Sequence, residues 1–125
     1  MYKATVVAAV LLASLPAWAD AISDGRNAIE LHLINAGRWN AVICDARSID
    51  DDQFVFCHPV LDRSLGGLFA VTIGEDAPVI HPVNGKAKQY MPESEISAVN
   101  GRPIPVRPWE GPAVAIPAVL SAFQN

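Results

Sequence analysis

The sequence predicts an α+β fold in which an N-terminal helix packs on a small antiparallel sheet built from hairpins. Three observations carry that expectation. Apolar residues recur at helical spacing within residues 22–36. Downstream, short alternating or apolar runs are separated by polar and glycine-containing turns. The two cysteines fall at opposed positions of one pair of these runs. An all-β sandwich carrying a short helix is the alternative arrangement of the same runs.

The first 19 residues, MYKATVVAAVLLASLPAWA, read as a cleaved signal peptide. Lys3 is the positive start, Ala4 to Leu15 the apolar stretch, Pro16 its break and Ala17-Trp18-Ala19 the small-x-small cleavage site. One small globular domain over 20–125 is then expected, in the periplasm of a bacterium or secreted. After this leader no apolar run is long enough to span a bilayer, so no integral membrane segment is expected.

Residues 22–36 form the helix candidate, with Ser23 or Asp24 as its start cap and Gly37 closing its end. Ile22, Ile29, Leu33 and Ala36 share one face, widened by Leu31 and Ile34. Residues 39–46 and 53–58 read as strands joined by a polar turn over 47–52. Symmetric pairing about that turn sets Ala46 against Val55, Asp45 against Phe56 and Cys44 against Cys57. Directly opposed residues of a non-hydrogen-bonded pair lie about 4.5 Å apart at Cα, so a Cys44–Cys57 disulfide follows from the register. Closing so short a loop stabilises the fold by about 3 kcal/mol on the chain-entropy account.

The same register sorts the faces. Val42, Cys44, Ala46, Val55 and Cys57 point one way; Ile43, Asp45, Arg47, Phe54, Phe56 and His58 point the other. The second face is either covered by a further layer or left as an aromatic patch for a partner. Small domains need every large apolar side chain they have, which favours the cover.

Residues 68–73 are the next strand, after a glycine turn over 61–67. Residues 79–90 read as a hairpin about Asn84-Gly85, the dipeptide favoured by type I′ turns. Residues 95–99 and 102–107 flank a second Asn-Gly, where Pro103 and Pro105 would block the outer side of an edge strand; polyproline II is equally allowed. After a turn at 110–112, Pro117 can open a short helix bearing Val119, Leu120 and Phe123.

Composition bounds the function. With 13 acidic against 9 basic residues, the chain lacks the basic stripe of a nucleic-acid binder. At 51% hydrophobic it is not a wholly disordered chain. No nucleophile elbow, phosphate loop or zinc-protease motif occurs, and Ser64 in its glycine turn lacks the surroundings of a nucleophile. Asp50, Asp51 and Asp52 lack the glycine and distal Glu of a calcium loop; they read as a solvated turn, with Ser48 and Asp51 as a capping box.

The expected protein is therefore an exported, disulfide-containing, non-catalytic binding or accessory protein with no cofactor and no metal, acting on a protein or cell-envelope partner. Its acidic balance suits an inhibitor of a basic exported enzyme. The candidate binding residues are Phe54, Phe56, His58 and Trp109. The alternative is a small hydrolase or metal-binding enzyme using His58 and His81.

Overall fold

A computed structural model describes residues 20–37, 39–75, 77–91 and 94–124. The signal peptide predicted over 1–19 lies outside them. Helix α1 covers residues 20–35. It is followed by strands β1 (Val42–Ile49) and β2 (Asp52–Pro59), a 3-10 turn (Arg63–Leu65), and strands β3 (Gly67–Ile73) and β4 (Pro78–Pro82). Helix α2 (Gly85–Tyr90), strands β5 (Glu95–Ser97) and β6 (Pro103–Pro105), and helix α3 (Ile116–Ala122) complete the fold. The four long strands make one antiparallel sheet in the order β1-β2-β3-β4, and β5-β6 make a second. The α+β expectation is met.

Residues 20–24 are already helical, so Ser23 and Asp24 lie inside α1 rather than capping it. The exit is as expected: Gly37 takes φ +72° and its N–H bonds to the Ile34 carbonyl at 3.0 Å. Ile22, Ala28, Ile29 and Leu33 of α1 are buried against Cys44, Val55, Cys57, Phe69, Val71 and Ile80 of the sheet. Each fully buried Ile or Leu contributes about 1.5–3 kcal/mol. Gly25 lets the helix approach, since a Cβ there would stand 3.0 Å from a Val71 methyl.

The β1–β2 register is the symmetric one, with Cys44 opposite Cys57 and Asp45 opposite Phe56. The disulfide joins them at a Cα separation of 4.1 Å. The turn is tighter than a six-residue loop over 47–52. Strand pairing continues to Ile49 and Asp52, and Asp50 and Asp51 alone turn the chain with φ of +50° and +69°. Positive φ at both centres is the type I′ pattern, whose twist matches that of the flanking strands. Ser48 does not cap Asp51; its hydroxyl accepts from Gln53 Nε2 at 3.0 Å.

The hairpin predicted over 79–90 does not form. β4 pairs with β3 instead, His81 opposite Ala70 and Pro82 opposite Phe69. The chain then enters α2 with Asn84 as its N-cap, at an extended φ of −98° rather than the left-handed value a type I′ turn needs. The cause lies in the Asn84 side chain. Its oxygen accepts from the N–H groups of Ala87 (2.8 Å) and Leu68 (3.0 Å), and its nitrogen donates to the Gly66 carbonyl at 3.2 Å. One amide thus ties α2 to the start of β3, which a local turn signal could not anticipate.

At the second Asn-Gly, β5 and β6 pair with Ile96 opposite Ile104. The ladder extends through Ala98 N–H to Arg102 O and Val106 N–H to Ser94 O. These bonds turn the even-numbered residues of 102–106 toward β5, so Pro103 and Pro105 hold their nitrogens on the side away from β5. That side is not the open edge expected: Val106 bridges Ile80 of β4 in parallel, and Arg107 N–H bonds to the Ile80 carbonyl. Gly101, at φ +87°, closes the loop. The β5–β6 pair lies on the α1 side, burying Ile96, Ile104 and Val106 with Tyr90 of α2 and its C-cap Met91.

Candidate functional site

The second sheet face is covered. Phe54 and Phe56 are 3% and 5% exposed, packed with Leu68, Ala70, Val83, Val119 and Phe123. The cover is the chain after β6: an arm through Trp109 to Val114, then α3. Pro117 stands in the first turn of α3, as expected, and Val119 and Phe123 point onto the sheet. Of the two alternatives for this face, the covering layer forms: Phe54 and Phe56 belong to a second core and are not an open patch. The sequence showed the apolar face but not which distant segment would lie on it.

A buried histidine holds the start of the arm, and Arg63 holds the end of α3. His81 presents Nδ1 to the carbonyls of Arg107 (3.1 Å) and Pro108 (3.2 Å), and Nε2 to the Thr72 hydroxyl at 2.8 Å. Carbonyls only accept, so Nδ1 carries a proton and donates to them, while Nε2 shares a hydrogen bond with the Thr72 hydroxyl. The Trp109 ring meets the His81 ring edge-on at 5.5 Å. At the far end His58, 3% exposed, donates from Nδ1 to the Pro59 carbonyl at 2.7 Å. Its Nε2 faces Arg63 Nη1 at 3.4 Å. The same guanidinium donates to the Phe123 carbonyl at 2.8 Å and lies 5.5 Å from the centre of the Phe56 ring.

His58 and His81 share a face but not a site. His81 is level with Phe54 across the sheet and two strands away, and His58 is four residues further along β2. Strand geometry puts their Cα atoms roughly 16 Å apart. Both rings have both nitrogens engaged in structural bonds. Among the described residues no group of three or more His, Cys, Asp or Glu could hold a metal ion.

Of the candidate binding residues, Trp109 alone is partly open. Its ring packs against Phe54 at a centroid distance of 6.5 Å, and its Nε1 donates to the Pro112 carbonyl at 2.8 Å. Beside it opens a cleft of about 400 Å³ between α2, the end of β4 and the arm. Val83, Met91, Trp109, Val114 and Ile116 form apolar walls, and among the described residues Lys88 is the one charged residue lining it. Met91, Val114, Ile116 and Lys88 were not singled out from the sequence. They come from segments 23 or more residues apart in the chain, joined only by the docking of the arm.

At the opposite corner, Asp62 caps the 3-10 turn. Hydrogen bonds from the Ser64 hydroxyl and then the Ser64 N–H hold its carboxyl below the ordinary value; slight burial opposes them and Lys86 assists. Ser64 thus donates to a carboxylate in a turn, a structural role.

No protein-family model matches the chain, and no curated protein and no solved structure shows a significant match to it.

Proposed function

We propose that the protein is an exported, non-catalytic binding protein that takes an apolar group of a protein or cell-envelope partner into the cleft beside Trp109. The observation that carries the reading is the cleft itself. It is a hollow large enough for one or two side chains, walled by the Trp109 indole and four aliphatic or thioether side chains, with Lys88 the one charge among the described lining residues. Lys88 would favour a partner that places a carboxylate next to its apolar group. The disulfide fits an oxidising compartment, as does the leader-like start of the sequence. Among the described residues no helix is long and apolar enough to cross a membrane.

The test places a photo-crosslinking amino acid at Lys88, and a control at exposed Ser97, in cells that make the full chain. The expected result is a discrete adduct from position 88 that disappears with Val114→Arg and is absent from position 97. Equal adducts from both positions, or none from 88, would remove the cleft from consideration. An inhibitory role toward a basic enzyme would rest on the net charge of −4, and its binding would weaken steeply with added salt.

A further inference from the structure

We propose that the apolar group taken by the cleft beside Trp109 is Leu61 of a second copy of this chain, with the Asp62 carboxylate of that copy set against Lys88; this rests on the cleft being a binding site and names its occupant. The tip that carries Leu61 lies between β2, which ends at Pro59, and the 3-10 turn, which begins at Arg63. Its backbone is fixed on both sides. Val60 N–H bonds to the Ala41 carbonyl at 3.4 Å, and Asp62 N–H to the Pro59 carbonyl at 3.2 Å. Asp62 Oδ1 accepts from the Ser64 N–H at 3.0 Å and from the Ser64 hydroxyl. On this ordered turn the Leu61 side chain is 98% exposed. A backbone already held in place loses little freedom when its side chain is buried by a partner.

The tip supplies what the cleft asks for. Lys88 favours an apolar group that brings a carboxylate beside it. Six large apolar side chains are exposed among the described residues: Ile34, Ile43, Val60, Leu61, Ile73 and Val99. Leu61 is the most open of them, and it alone is followed directly by an acidic residue. Both Ser64 bonds fall on Oδ1 of Asp62, so Oδ2 can accept from another molecule, with Lys86 of the same chain assisting only through its charge.

The cleft is equally unspent. Lys88 is exposed in the last turn of α2, and among the described residues its ammonium group has no hydrogen-bond or ion-pair partner. The hollow of about 400 Å³ admits an isobutyl group between the Trp109 indole and the Val83, Met91 and Val114 side chains. With Leu61 seated there, Asp62 follows about 3.8 Å further along the chain, within reach of the flexible Lys88 side chain. Tip and hollow are different surfaces of the molecule. A copy defective in one can therefore still meet a copy defective in the other.

The test follows nitrogen-15 spectra of the purified, oxidised chain on dilution. The contact is small, so a dissociation constant of about 0.1–1 mM is expected. The signals of residues 60–62 and of the Trp109 indole should move together with concentration. Leu61→Ser should weaken association roughly tenfold or more, and Lys88→Glu roughly fivefold or more. Both alter exposed side chains. When labelled Leu61→Ser is mixed with unlabelled Lys88→Glu, the indole signal should shift and residues 60–62 should not. With the labels exchanged, residues 60–62 should shift and the indole should not. That division separates lost contact from damaged folding. Spectra indifferent to concentration overturn the proposal, as does association that survives Leu61→Ser or a mixture that shifts neither region. If it falls while the crosslinker at position 88 still captures a discrete partner of another mass, the cleft remains a binding site and only the second copy is excluded. Failure of both removes the cleft as well.

Discussion

Replacing Phe56 with alanine asks whether the second sheet face is core. The ring is 5% exposed and lies 5.6 Å from the Phe123 ring centre. Truncation removes nearly the whole phenyl group from apolar surroundings, a transfer loss of about 2.5 kcal/mol. The arm and α3 settle only partly into the void, which adds about 1.5 kcal/mol. The expected loss is about 4 kcal/mol, within the ordinary range for a buried phenylalanine. Urea unfolding followed by far-ultraviolet circular dichroism should show a lowered midpoint with an unchanged slope. Phe123→Ala should cost a similar amount, and the double variant about 1 kcal/mol less than the sum, because the rings touch. A loss below about 1 kcal/mol for Phe56→Ala would mean that the arm does not cover this face, and the reasoning behind the second core would fail.

Three further outcomes are expected. Asn84→Ala strips a cap from α2 and leaves the Leu68 N–H without its acceptor, so stability should fall by about 2–3 kcal/mol in the same unfolding assay; a change within about 0.5 kcal/mol would rule out the three-way tie. Asp51→Gly should raise stability by about 0.5–1 kcal/mol, because an L-residue at φ +69° gives way to one without a Cβ; a loss would contradict the type I′ turn. The Asp62 carboxyl, held low by Ser64, favours the folded state fully above its ordinary value of 3.8, and this contribution is lost as the pH falls through its lower folded-state value. A carbon-detected carboxyl titration should place its midpoint below 3.8, and a midpoint at or above that value would exclude the cap.

Much of the sheet was legible because its signals are local. The Cys44–Cys57 register needs only a turn and two strands of matched parity, and both were readable. The division of Phe54 and Phe56 from Val55 and Cys57 follows from the two-residue period of a strand and stands in the structure as two separate apolar clusters. Gly37 and Pro117 behaved as their backbone chemistry requires. The Pro103/Pro105 side of β6 meets β4 through Ile80 and Val106 instead of forming an open edge. Asn84-Gly85 misled because a turn dipeptide competes with whatever else its side chain can reach. Here the amide oxygen found two backbone donors, one of them 16 residues away.

The candidate site was far less legible. Trp109 was named from the sequence, and its partial exposure beside a cleft is consistent with that choice. The cleft walls, however, come from the end of β4, from α2 and from the arm, and no spacing rule relates Met91 to Val114.

The amino-acid sequence by itself determined the α+β class, the disulfide and the pairing of β1 with β2, because short-range sterics and strand parity are properties of neighbouring residues. Only the tertiary structure decided which segment covers Phe54 and Phe56, that His81 and Arg63 hold its two ends, and that Trp109 borders a hollow. Those outcomes rest on burial and hydrogen bonding between residues tens of positions apart. Such contacts are selected by the free energy of the whole packed chain, which no local pattern records.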